Sequence, residues 1–414
     1  MGQESRRRRE ARRRSNQRPG ADGIAALLDL AVRHAVHAPA TAGPHIRVLH
    51  DLGAAPPVVD EVVARIGAAW EQGWQPRDLL HASRRHTTAA ATRWLSRAIL
   101  VESHRSGAPH RAPRSWLDQL DVLESSVTPA ADELLPSTDH PDQAAWLAAL
   151  VTLDLLRGLP RVRVVDAVPS QWDRLGRPST VPETGRIDAR QAKALTTVRA
   201  LLAKAESTDF AAEAEAFTAK AQSLMTRHAL DEALITADIE GGVVVRARRI
   251  LVHHPYPVEK ASLLDQVARA NRTRAVWDEF ASSVTVVGVP TDLDQVEMLF
   301  TSTLVQATRA MTHAGQAADS APVDRSSSFR KSFLVAYAQR IGQRLTVTAE
   351  EATASYGSAL VPVLARQGEA VTAEFERLFP RVTTTSRRRS YDRRGWDAGT
   401  RAADDTVLPS AMLE

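Results

Sequence analysis

Apolar side chains recur at helical spacing along most of the chain, and strand-like runs are confined to a stretch after residue 240. Ile24, Leu27, Leu28, Ala31 and Val32 form the first helical stripe, and further helices are predicted over 58–74, 76–102, 116–124 and 141–157. Pro109, Pro113, Pro129 and Pro136 mark the breaks, while Pro76 suits a first helical turn, which has no use for its missing amide hydrogen. Residues 159–190 then bring Pro160, Pro169, Pro178, Pro182 and Gly185, the composition of a linker. Two Ala-rich amphipathic segments follow. Leu195, Val198, Leu201 and Leu202 line the first, and Ala214, Phe217, Ala221, Leu224, Met225 and His228 line the second. Alanines between these large side chains let two helix backbones approach, so the spacing predicts an antiparallel hairpin. Such a short piece cannot bury enough surface alone and should dock on a neighbour.

After Gly241-Gly242 the pattern changes. VVVRARRILVHH has strand character, 257–271 is helical, and 273–280 and 283–289 form two more strands joined tightly near Ala281. Helices are predicted over 292–312 and 329–348, with two shorter ones within 354–379. This order implies a small, mainly antiparallel sheet covered by helices. The fold class is therefore α+β and predominantly α. Its expected parts are a disordered basic arm (1–20), a helical domain (21–165), a linker (166–190), a helical hairpin (191–235), an α+β domain (240–380) and a basic tail with a short helix (381–414).

The hairpin carries the one specific motif. LLAKAEST, EAEAFTAKAQSLM and the closing His228-Ala229-Leu230-Asp231 resemble the bacterial and phage family known as domain of unknown function 2786. A weaker resemblance, in HHPYPVEKASLL, VTVVGVPTDLDQVEMLF, FRKSFLVAYAQRIGQRL and GWDAGTRAA, extends to that family's uncharacterised C-terminal companion domain. The resemblance implies this domain order and an intracellular bacterial or phage setting. It implies no reaction. Lys204, Glu206, Glu213, Lys220, Met225 and His228 are the residues matching the family pattern.

Composition narrows the possibilities further. With no cysteine there are no disulfides, no thiolate catalysis and no Cys-containing zinc site. Five of the eight tryptophans (Trp70, Trp74, Trp94, Trp116, Trp146) precede residue 150, which argues for a separate N-terminal core. The net charge of +4 conceals basic ends on a mildly acidic body: residues 1–20 hold eight arginines against Glu4 and Glu10, and 381–401 hold seven against Asp392 and Asp397. No apolar run approaches the ~18 residues of a membrane span. The Arg-rich start before IAALLDLAV is unlike an export signal, because Asp29, Arg33 and His34 interrupt it. A cytoplasmic protein without membrane contact is expected.

The signatures HExxH, GxSxG, GxxxxGK and GxGxxG are all missing, so neither a cofactor nor a metal is expected. His253-His254 are adjacent at a strand end, where neighbours point to opposite faces and share a metal poorly. His81 and His86 are five apart, off the spacing that aligns two ligands, and with Arg84, Arg85 and Arg93 they belong to a surface that could meet phosphate or simply water. His34 and His37, at i and i+3, could meet on one helix face, but no carboxylate lies close to them in sequence. Glu206 and Glu213 flank the hairpin turn; they could pair for acid–base chemistry, but capping and ion pairing explain them more simply. Asp292 and Asp294 follow Thr291, the expected cap of the 292–312 helix.

The arginines give the strongest partner signal. Arg6, Arg7, Arg8, Arg9, Arg12, Arg13 and Arg14 on one arm, and Arg387, Arg388, Arg389, Arg393 and Arg394 interleaved with Tyr391 and Trp396, have the character of a non-specific nucleic-acid surface. The function expected is a non-catalytic, nucleic-acid-associated accessory protein. A protein-interaction scaffold is the alternative, and a hydrolase with its site in 240–380 is the third reading.

Overall fold

The computed structural model describes residues 21–127, 133–136, 138–172, 196–204, 243–315, 326–354, 360–382 and 391–405, with Phe217, Lys220, Ala221, Leu224, Met225, Arg227, His228, Ala229 and Ala233. It divides into two compact units, Met1–Thr180 and Val181–Glu414.

The first unit is helical: α1 (Ala21–His37), α2 (Gly43–Asp51), α3 (Ala55–Glu71), α4 (Pro76–His86), α5 (Ala89–Ser106), α6 (Arg114–Ser126) and α7 (Gln143–Arg157). Helix α7 packs against α1, α3 and α5, and its run AAWLAALVTLDLL is apolar on nearly every side, as a central helix requires. Asp142 caps it, accepting from the Ala144 and Ala145 amides at 3.0 and 3.1 Å. The single helix expected over 76–102 is two. The Thr88 hydroxyl accepts the Ala91 amide at 3.1 Å and starts α5, while the Ser83 hydroxyl lies 2.9 Å from that of Thr87 and 3.0 Å from that of Thr92. Hydroxyls that satisfy backbone groups locally end one helix and begin another. Helix α2, which opens on Gly43-Pro44, has no counterpart among the predicted elements.

Tryptophans tie this unit together. The Trp70 ring meets Trp116 edge-on, with centroids 5.3 Å apart, and Trp116 meets Trp172 in the same way at 5.3 Å. Indole N–H groups inside a core need acceptors: Trp74 donates to the Pro160 carbonyl at 2.9 Å, Trp94 to Leu134 at 3.1 Å and Trp172 to Ala167 at 3.0 Å. Residues 160–172 thus lie on the helical unit. The described start of the expected linker, 166–172, belongs to this packing through buried Val168 and Trp172.

In the second unit, β1 (Arg246–Leu251), α8 (Pro257–Ala270), β2 (Arg274–Asp278), β3 (Ser283–Gly288), α9 (Pro290–Ala314), α10 (Ser327–Ala354), α11 (Val361–Leu378) and α12 (Arg393–Asp405) follow in order. The sheet is antiparallel with order β1-β3-β2, and its register sets Ile250 and Trp277 on either side of Val284. Ile250, Val284 and Val286 share a core with Leu264, Val267, Val296, Phe300 and Phe333 of the helices. On the other face Val287 meets Phe375 and Leu378 of α11. A sheet covered on both faces explains why β3 is buried at all six positions. The two short helices expected within 354–379 are α11 alone, because α10 continues to Ala354.

Candidate nucleic-acid interface

Helices α10 and α12 run parallel in close contact. Gly395 and Gly399 lie one turn apart on one face of α12, with buried Ala403 a turn further on. A methyl group built on Gly395 would sit 3.0 Å from the Phe329 Cα, and one on Gly399 would sit 2.9 Å from the Phe333 Cα. Only a hydrogen fits at either place. Further along, Arg340 pairs with Asp404, and Arg344 donates to the Ala403 carbonyl and, at 3.1 Å, to that of Asp404. Contact positions rise together in both helices, so both begin at the same end of the unit.

That end is basic. Arg330 and Lys331 come from the first turn of α10, Arg393 and Arg394 from the first turn of α12. The Arg393 side chain is 95% exposed, and its link to Asp397, at 3.9 Å, is loose. Asp392 accepts the Gly395 amide at 2.8 Å, and its own amide donates to the Ser332 hydroxyl at 2.8 Å. Beside these cations the Tyr391 and Trp396 rings meet edge-on, centroids 4.8 Å apart. Of the arginines expected to bind nucleic acid, Arg393 and Arg394 are placed here, while Arg6, Arg7, Arg8, Arg9, Arg12, Arg13, Arg14, Arg387, Arg388 and Arg389 lie outside the described residues. Sequence periodicity gave no sign of Arg330 and Lys331. The spacing of Gly395 and Gly399 was the available signal.

The described residues of the segment expected to form the hairpin pack within this same unit. Val198, Leu202, Ala221 and Met225 enter the core beside the sheet helices. Met225 is 2% exposed, and its carbonyl accepts a buried hydrogen bond from Gln295 Nε2 at 2.7 Å. Lys204 sits over the Phe217 ring, 5.3 Å from its centroid. Lys220 is exposed and His228 half-buried. Glu206 and Glu213 lie outside the described residues. Among the described hairpin residues the exposed charges are Arg199, Lys204, Lys220 and Arg227.

The other candidates are dispersed. His253 and His254 are both exposed beyond the β1 end that pairs with Ser283. Asp292 follows Gly288 at the opposite end of β3, about 17 Å of strand away. It is buried and paired with Arg272 at 2.5 Å, while Asp294 pairs with Arg248 at 2.8 Å. Thr291 does not cap α9, which begins at Pro290 with Val289 in the cap position and no side-chain cap bond. Lys260 donates to the His253 carbonyl at 2.9 Å, and burial lowers its pKa.

In the first unit His81 is buried, 4% exposed, contrary to its expected surface place, whereas Arg84 and His86 are exposed. One face of α4 turns Gln75, Asp78 and His81 inward, and Gln75 donates to Asp166 at 2.6 Å. His34 contacts His45, ring centroids 4.4 Å apart, instead of completing a pair with His37. Glu102 is buried with the Trp70 indole donating to it at 2.7 Å, and burial pushes its carboxyl above the usual range. Among the described residues no group of three or more His, Asp or Glu side chains is placed to hold a metal, and no helix is long and apolar enough to cross a membrane.

Comparison with the curated proteins finds no match, and neither does comparison with the solved structures. Residues 193–232, which include Val198, Leu202, Ala221 and Met225, fit the family described as "Protein of unknown function (DUF2786)".

Proposed function

We propose that this protein binds nucleic acid without acting on it chemically, through the basic end formed by α10 and α12 together with its Arg-rich segments. The observation that carries this reading is that α10 and α12 start side by side, Asp392 bonding to Ser332, which brings the pairs Arg330-Lys331 and Arg393-Arg394 to one end of the unit from segments sixty residues apart in sequence. Clustered cations on one surface are the electrostatic footprint of phosphodiester binding. The neighbouring segment 387–389 would add three more arginines. Of the residues that a hydrolase in 240–380 could use, His253 and His254 stand at one end of the sheet and Asp292 at the other, while Glu206 and Glu213 lie outside the described residues.

Fluorescence anisotropy of labelled DNA and RNA strands against the full chain tests the proposal. A variant carrying Arg330→Ala, Lys331→Ala, Arg393→Ala and Arg394→Ala should bind at least ten-fold more weakly, with an unchanged unfolding midpoint. Equal binding by the folded variant sinks the reading.

A further inference from the structure

We infer that the partner is a single strand, recognised by bases stacking beside Tyr391 and Trp396; this rests on the nucleic-acid reading above. The two rings meet at 62°, with centroids 4.8 Å apart. In such an edge-to-face contact the rings do not cover each other as a parallel stack would, so the pair keeps ring surface for another planar group. Tyr391 is 47% exposed, the one aromatic side chain among the large apolar residues displayed at the surface of the described residues. An exposed ring of this kind can offer its face to a planar partner.

Its surroundings name the covering group. Tyr391 directly precedes the α12 cap, Asp392, whose amide is held by the Ser332 hydroxyl at 2.8 Å. The ring thus stands next to Arg393 and Arg394 in sequence, at the end of the unit where α10 also begins with Arg330 and Lys331. Guanidinium and ammonium groups suit phosphates, and a ring among them suits an unpaired base. A duplex keeps its bases stacked on one another and offers an exposed ring only its grooves and backbone. Bases in a single strand are free to splay onto aromatic side chains, and this stacking tolerates any sequence.

The test compares a labelled mixed-sequence single strand with the duplex of the same sequence on the full chain, for wild type, Tyr391→Ala and Tyr391→Phe. Single-strand affinity should fall about ten-fold in Tyr391→Ala and be largely kept in Tyr391→Phe, with duplex affinity unmoved. If both forms bind equally and Tyr391→Ala changes neither, the single-strand inference fails while the nucleic-acid reading stands. If neither form binds, both fail. Tyr391→Ala is checked for folding by its unfolding midpoint; if it unfolds, Tyr391→Leu, which keeps the apolar bulk without the ring, takes its place with the same expected loss.

Discussion

Gly399 lies directly against the backbone of Phe333, with room for no side chain between them. This contact and its twin between Gly395 and Phe329 bring α12 onto α10, so that both basic helix starts lie at one end of the unit.

Gly399→Ala should destabilise the second unit by about 1–3 kcal/mol, because a methyl group forces backbone apart in a packed contact. Gly368→Ala is the matched control. Gly368 faces open space in α11, so the substitution should add roughly 0.5–1 kcal/mol through helix propensity. Chemical denaturation of both variants checks the pair, and a neutral Gly399→Ala would contradict the packing described.

The packing of Met225 makes a second expectation. Gln295→Leu removes the donor to the Met225 carbonyl and leaves that acceptor buried without it, costing about 1–3 kcal/mol. Met225→Ala empties a core position, at about 2–5 kcal/mol. Hydrogen exchange should quicken in the segment around residue 225 in both variants. Unchanged exchange there would show that the hairpin does not depend on α9.

Breaking the buried pair at the far end of the sheet should be costly. Asp292→Ala strands the Arg272 guanidinium, whose side chain is only 24% exposed, at roughly 3 kcal/mol. Thermal unfolding measures this, and a loss close to zero would mean that solvent screens the pair.

Glu102 gives a pH dependence with a definite sign. Desolvation raises its folded pKa, and hydrogen bonds from Trp70 and Ser106 only partly oppose this. The folded chain therefore keeps a proton that the unfolded chain has already released. The stability linked to this proton is present below the ordinary glutamate pKa and is lost as pH rises through the raised value. Glu102→Gln retains an acceptor for the Trp70 indole and removes the titration. The stability of wild type minus that of the variant should fall as pH rises from acid to neutral. A difference that grows over this range would contradict the assignment.

Much of the architecture is legible in the sequence, because burial repeats with the period of each element. The stripe of Leu293, Val296, Leu299 and Phe300 yields α9, and the β-branched run after Ser283 yields β3. The split between α4 and α5 escapes this reading, since Thr87 and Thr88 act through local hydroxyl bonds that periodicity does not register. His81 was misplaced because its neighbours Arg84 and His86 are exposed, while a helix turns adjacent positions toward different environments. The side-by-side start of α10 and α12 is a tertiary fact. It follows from two glycines fitting one backbone, and charge counts along the chain treat the segments separately.

The salt dependence of single-strand binding tests the central claim most directly. Each phosphate neutralised contributes about 0.7 to the slope of log affinity against log salt. Replacing Arg330, Lys331, Arg393 and Arg394 with alanine in the full chain should make that slope shallower by roughly 3. An identical slope in the folded variant, or no binding by the wild type, would contradict the claim that this end of the second unit holds the phosphates.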